Sequence, residues 1–218
     1  ESFAWETSMT IDPNASPFAP GLVDRVKNII TAPQAEWDRI AAEPADVQKL
    51  YMGYALPLAV LAAVAGFIGM SIFGTTVLGV TYRMPIVTGA VSAVLQVVVM
   101  MGCFYIMGVV TNALAPNFGS TADQGQAHKF IVYGATAAML GGLFAIFPPI
   151  AMLGLLAAIY SLVIAWMGLP KMMKTPEDKR VGYFAVIVLI WIVVALVLNT
   201  VLGSVLMMTG GVPGLGRI

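Results

Sequence analysis

The sequence predicts an all-α polytopic integral membrane protein, with five transmembrane helices preceded by two short amphipathic cytoplasmic helices. Three observations predict it. Of 218 residues, 59% are hydrophobic and 10% charged, whereas a water-soluble domain carries about a quarter charged residues to keep its surface wet. Five apolar runs each approach or exceed the roughly 20 residues that cross about 30 Å of hydrocarbon. Upstream of them, apolar and charged residues alternate at helical spacing.

Residues 1–20, ESFAWETSMTIDPNASPFAP, mix Ser, Thr, Pro and acids without a period and read as a flexible N-terminal tail. Asn14-Ala15-Ser16 fits the glycosylation sequon, a triplet common by chance. In segment 21–50, Leu22, Val23, Val26, Ile29 and Ile30 share one helical face while Asp24, Arg25, Lys27 and Asn28 take the other. Thr31 before Ala32-Pro33 signals a second helix start, and Trp37, Ile40 and Ala41 form its apolar stripe until Pro44 stops it. Two placements stay open for these helices: along the headgroup layer, or packed on the protein's own cytoplasmic face.

The five-span bundle occupies 51–208, with spans at about 51–73, 84–114, 129–147, 150–168 and 181–208, and a short external C-terminal tail at 209–218. Only Pro148-Pro149 separates the third and fourth runs. Together they are about twice one crossing long, so a tight helical hairpin is expected rather than one kinked helix. Lipid gives helices no hydrophobic reason to associate, so small residues must let backbones approach. Ala62/Gly66, Ala65/Gly69, Gly89/Ala93, Gly134/Ala138/Gly142 and Gly154/Ala158 supply such faces in spans one to four. The fifth span, mostly Val, Ile and Leu, is expected to be the most lipid-exposed.

Orientation follows from Lys and Arg near the spans. Arg25, Lys27, Arg39, Lys49, Lys129, Lys171, Lys174, Lys179 and Arg180 fall on one side, and Arg83 and Arg217 on the other. Nine against two places the N-terminus in the cytoplasm and the C-terminus outside. A cleaved signal peptide would invert that rule, so the first residue, Glu1, implies residues missing upstream rather than a secretory signal.

Composition also excludes functions. With zero net charge and 11 basic residues, the chain cannot neutralise a run of phosphates, so no nucleic-acid partner is expected. A single cysteine, Cys103, and a single histidine, His128, are too few for a zinc, iron–sulfur or haem site; the first reads as a small buried hydrophobe and the second as a polar loop residue. No Asp, Glu, Lys, Arg or His lies well inside any predicted span, whereas pumps and proton-coupled transporters bury such groups where their chemistry is done. No nucleophile–base pair and no phosphate-cradling glycine loop stands out. The chain is therefore read as no enzyme, with no catalytic, cofactor-binding or metal residue and no cofactor.

Two groups of residues remain as candidates. Thr88, Ser92 and Gln96 stand at four-residue spacing in the second span, with Asn199 at similar depth in the fifth. This possible intramembrane polar stripe reads first as interhelical hydrogen bonding and second as the wall of a solute path. The stretch GLPKMMKTPEDKRVGY, 168–183, concentrates charge between spans four and five. Gly168 and Pro170 are read as ending the fourth span, Thr175-Pro176-Glu177-Asp178 as starting the next helix, with Thr175 as its cap, and the cations as headgroup anchors. Arg25, Lys27, Trp37, Arg39, Lys171, Lys174, Lys179 and Arg180 together form a candidate docking surface for a partner or lipid headgroups.

The order of these features resembles the bacterial branch of the Yip1 domain family of five-span membrane proteins. The entry segment LVDRVKNIITAPQAEWDRIAAEP, early Pro57 and late glycines in LYMGYALPLAVLAAVAGFIG, Phe118-Gly119, Ile146-Phe147-Pro148, and IYSLVIAWMGLPKMMKTPEDKRVGYF carry it. It covers roughly residues 20–208. Where the third span of family members often has a Pro, this chain reads VYGATAAML. The resemblance implies a bacterial inner-membrane location and a cytoplasmic N-terminus, and the trafficking role of eukaryotic members does not carry over. The expected function is a non-enzymatic organiser or accessory subunit, working with the bilayer and with copies of itself or other membrane proteins. The alternative is a small transporter or channel with a polar path between spans two and five.

Overall fold

The computed structural model describes residues 21–77 and 79–208, and side chains through residue 204 apart from those of residues 77 and 78. The expectations for the 1–20 tail, its sequon and the 209–218 tail lie outside the described residues.

Helices α1 (Leu22–Thr31) and α2 (Pro33–Ala42) come first, with Pro33 opening α2 where its missing N–H costs nothing. Five helices long and apolar enough to span a bilayer follow: Val47–Phe73, Ile86–Phe118, Gln124–Ile146, Leu153–Met173 and Glu177–Ser204. Asp46 caps the first by accepting the Lys49 N–H at 2.9 Å. Pro57 offers no N–H to the preceding turn, and that turn widens, with the Leu56 N–H reaching back to the Tyr51 carbonyl. The widened turn leaves Tyr51 and Tyr54 both buried.

Between the first two spans, strands β1 (Thr75–Val77) and β2 (Val80–Tyr82) form an antiparallel hairpin with Thr75 opposite Tyr82. Gly79 sits in its turn at φ +81°, a conformation in which a side chain would be strained.

The third span begins at Gln124, five residues before the predicted start, and it is broken. Its helix runs Gln124–Gly134, pauses at Ala135 and resumes over Thr136–Gly141. No polar group can be left open in hydrocarbon. The Ala138 N–H is taken up by the Ser161 hydroxyl of the fourth span at 2.7 Å, and the Thr136 hydroxyl donates to the Tyr133 carbonyl at 2.7 Å. The break thus occurs without a proline, at the small residues of VYGATAAML.

Two short tight turns, Gly142–Ile146 and Pro148–Ile150, make the expected hairpin into the fourth span. That span runs on to Met173 with Pro170 in its last turns, correcting the stop at Gly168 and Pro170; Lys174, at φ 51°, ends it. Thr175 is not a cap: the next helix starts at Glu177, and the Thr175 Oγ1 accepts from Ser120 at 2.9 Å.

Small residues sit where spans meet. A Cβ on Gly134 would lie 3.2 Å from Ala165, one on Gly154 3.0 Å from the Gly141 carbonyl, and one on Gly142 2.8 Å from the Cβ of Ala62. Gly142→Leu should therefore lower stability by about 1–3 kcal/mol through overpacking. Gly203→Leu, with nothing among the described residues within 4 Å of its Cβ position, should leave the thermal unfolding midpoint in detergent unchanged. In the fifth span 11% of the most apolar stretch is buried, against 50% in the third, so the fifth is the most lipid-facing, as its composition predicts.

The two ends of the bundle differ. At one, the Phe73 and Phe147 rings meet edge to face 5.8 Å apart beside the hairpin turns. At the other lie α1, α2, the loop before the third span and the 174–176 linker, and there the Thr121 N–H on the Met173 carbonyl ties that loop to the end of the fourth span. This second end carries most of the positive charge.

Candidate functional site

At the basic end, α1 and α2 are clamped onto spans three and four by buried side chains, among them Arg25, which its charge had assigned to the polar face of α1. Arg25 lies three residues after Leu22 and four before Ile29, which puts it on the apolar stripe of α1; Glu36 precedes Ile40 by four on that of α2. Both are buried, at 2% and 1% exposure. Arg25 Nη1 donates to Glu36 Oε1 at 2.6 Å, Nη2 donates to Glu43 Oε1, and the guanidinium lies 5.5 Å from the Tyr133 ring centre. Arg39 Nη1 reaches the second oxygen of Glu36 at 3.4 Å. Burial works against the charge on Arg25, but the Glu43 hydrogen bond and the pull of Tyr133, Glu43 and Glu36 outweigh it and raise its pKa.

A second set of contacts crosses from the third span. Lys129 Nζ donates to the carbonyls of Ile40, at 2.9 Å, and Glu43, and Gln126 Nε2 donates to that of Ala41 at 3.1 Å. These close the C-terminal end of α2, where unpaired carbonyls attract a cation. Below them, Tyr51 Oη meets His128 Nδ1 at 2.9 Å, and the Tyr105 ring lies tilted 5.3 Å from the imidazole. Thr136 spends its proton on Tyr133, so it accepts from the Tyr54 hydroxyl at 2.8 Å. His128 is thus corrected: it is no loop residue but a buried side chain in the first turns of the third span, beside Lys129 at the basic end. A Cβ on Gly108 would lie 2.1 Å from His128 Nδ1, so the second span's glycine makes room for the ring.

Trp37 completes the clamp. It is fully buried, its Nε1 donates to the Ile164 carbonyl at 2.9 Å, and its ring fills the space above Gly168, where a Cβ would come within 2.4 Å. Lys171 Nζ reaches Asp38 at 2.6 Å and the Gln34 carbonyl at 2.8 Å, and the Tyr160 hydroxyl reaches the Ile30 carbonyl at 2.6 Å. The amphipathic helices therefore pack on the protein itself.

Of the predicted docking residues, Arg25 and Trp37 are corrected to interior positions, because their polar atoms are used up within the fold. Lys27, Arg39, Lys174 and Lys179 are exposed, and Lys171 is half-buried against α2. Arg180 lies over the Trp166 ring at 4.1 Å and donates to its carbonyl at 2.6 Å. The polar stripe is not brought together. The Ser92 hydroxyl donates to Thr88 O and the Asn199 amide to Ala195 O, both at 2.7 Å and within their own helices, while Gln96 and Asn199 face outward. Among the described residues no hydrogen bond between helices joins these four.

A family model for the Yip1 domain matches residues 27–199. The chain belongs to the Yip1 domain family. Most of the clamp and the first four spans fall inside the matched segment, with Arg25 two residues before it and the end of the fifth span beyond it. Two curated relatives are both called inner membrane protein YohC, from Escherichia coli strain K12 and from strain CFT073 of serotype O6:H1. Each is 24% identical over 165 residues, spanning 74% of this chain and 85% of the relative. No solved structure matches. This Yip1 domain is a multi-pass membrane protein whose curated relatives are named for the inner membrane.

Proposed function

We propose that this Yip1 protein is a non-enzymatic organiser of the bacterial inner membrane that docks partners from its cytoplasmic side, as an accessory subunit or among copies of itself. One observation carries the reading: α1 and α2 are locked to the bundle by Arg25, Glu36, Trp37 and Lys129. Their fixed seat presents Lys27, Arg39 and Lys49, with Lys174 and Lys179, at one end of the molecule. A rigid charged face favours docking because little ordering entropy is lost on binding, and opposite charge on a partner speeds encounter. The nine-to-two charge asymmetry supports a cytoplasmic N-terminus and an external C-terminus.

The experiment is purification of the full chain from its own membranes in mild detergent, beside the variant Lys27→Gln/Lys174→Gln/Lys179→Gln. The expected result is a stoichiometric membrane-protein partner or second copy with the native chain, lost from the variant at unchanged thermal stability. Recovery of the isolated chain alone, with no change in membrane shape or composition on overproduction, overturns the reading. The solute path between spans two and five gains no support from the outward-facing Gln96 and Asn199.

A further inference from the structure

Spans three, four and five enclose an apolar cavity of about 150 Å³, open at its side. Small residues, Gly134, Ala138, Ala158 and Ala165, form its back, and Phe184 and Trp191 stand along the fifth span beside it. The fifth span packs mainly on the second and touches the fourth only sparsely, which leaves the gap. Phe184 and Trp191 are seven residues apart, so the cavity runs about 10 Å down the helix. One turn above Phe184, at the basic end, sits Arg180.

That arginine is unusual. Its Nη2 is held on the Trp166 carbonyl, and Trp166 in turn meets Phe184 edge to face at 5.3 Å. The guanidinium has five N–H donors, yet its Nε is buried with no partner, and among the described residues no carboxylate pairs with it. An unpaired cation at the headgroup level above an apolar slot is complementary to an anion that carries a hydrocarbon chain.

We propose that this cavity is a binding site for one anionic glycerophospholipid of the bilayer, its acyl chain lying along Ala138, Ala158 and Trp191 and its phosphate on Arg180. An apolar cavity of this size stays dry and takes an apolar guest, so a chain entering from the side displaces no bound water. The site is separate from the exposed lysines proposed for docking, and either reading can fail alone.

The test is native mass spectrometry of the full chain released from detergent micelles doped with dioleoyl phosphatidylglycerol, dioleoyl phosphatidylcholine or inorganic phosphate. One phosphatidylglycerol per chain is expected, saturably, and about fivefold less phosphatidylcholine, the discrimination expected from one basic residue at the headgroup level. Ala158→Phe, which fills the slot, should lower retention of both lipids. Arg180→Gln should bring the two lipids close to equal retention, with phosphatidylglycerol falling the more, because both carry a phosphate but only phosphatidylglycerol carries a net charge. Thermal unfolding of each variant, together with a second filling variant, Ala138→Leu, separates loss of the site from loss of the fold. Equal binding of the two lipids by the native chain, binding of phosphate alone, or lipid retention unaffected by both filling variants overturns the proposal.

Discussion

Replacing Arg25 with Met lowers stability by about 3 kcal/mol and frees the N-terminal helices from the bundle. The magnitude is the low end of about 3–5 kcal/mol for removing one partner of a buried ion pair, since the other charge is left uncompensated in a dry site. Glu36 is 1% exposed and would keep only Arg39, 3.4 Å away and itself largely solvated. Glu43 is less affected because it is partly exposed and can turn to water. Two measurements read the effect: the thermal unfolding midpoint in detergent, and the rate of tryptic cleavage at Lys27, Arg39 and Lys49, which should rise as α1 and α2 detach. The double variant Arg25→Met/Glu36→Leu should regain most of the loss, because apolar groups of similar volume often replace a buried pair at little cost. If the single variant melts and resists trypsin like the native chain, the ion cluster does not hold the helices down.

That cluster also marks where sequence reasoning stops. Five spans, a hairpin at Pro148-Pro149 and two preceding helices were legible because a membrane imposes strong length and polarity constraints on each segment separately. Small residues at four-residue spacing were legible for the same reason, and Gly142 on Ala62 and Gly154 on Gly141 bear it out. Arg25 was assigned to the polar face by its charge, although its spacing from Leu22 and Ile29 put it on the apolar one. Read beside Glu36 on the stripe of α2, it could have been recognised as half of a buried pair. His128 was taken to lie before the third span, and Lys129 to be its first residue, because polar residues lower local hydropathy. They are inside it because α2 and Tyr51 supply their partners, and such partners, far along the chain, leave no trace in a window of local sequence. The hydroxyl of Ser161 on the broken third span has the same character. The polar stripe failed in the opposite direction: equal spacing along one helix says nothing about whether that face meets another helix or lipid.

Trp37→Ala is the second large loss, at about 3–5 kcal/mol for a fully buried aromatic ring cut back to a methyl group. The site cannot collapse easily, since the indole fills the space above Gly168 and stands 6.2 Å from the Phe130 ring. Trp37→Phe separates area from polarity: it keeps most of the ring contact and should lose about 1 kcal/mol with the bond to the Ile164 carbonyl. The glycine supplies the converse test. A Cβ at 168 would lie 2.4 Å from Trp37 Cε2, so Gly168→Ala should cost about 1–3 kcal/mol by displacing a rigid ring. In a Trp37→Ala background that cost should vanish, because the methyl then enters the cavity left by the indole. Such non-additivity is what direct contact requires. A Gly168→Ala penalty that is the same in both backgrounds would mean that the glycine serves the helix itself and not the seat of α2.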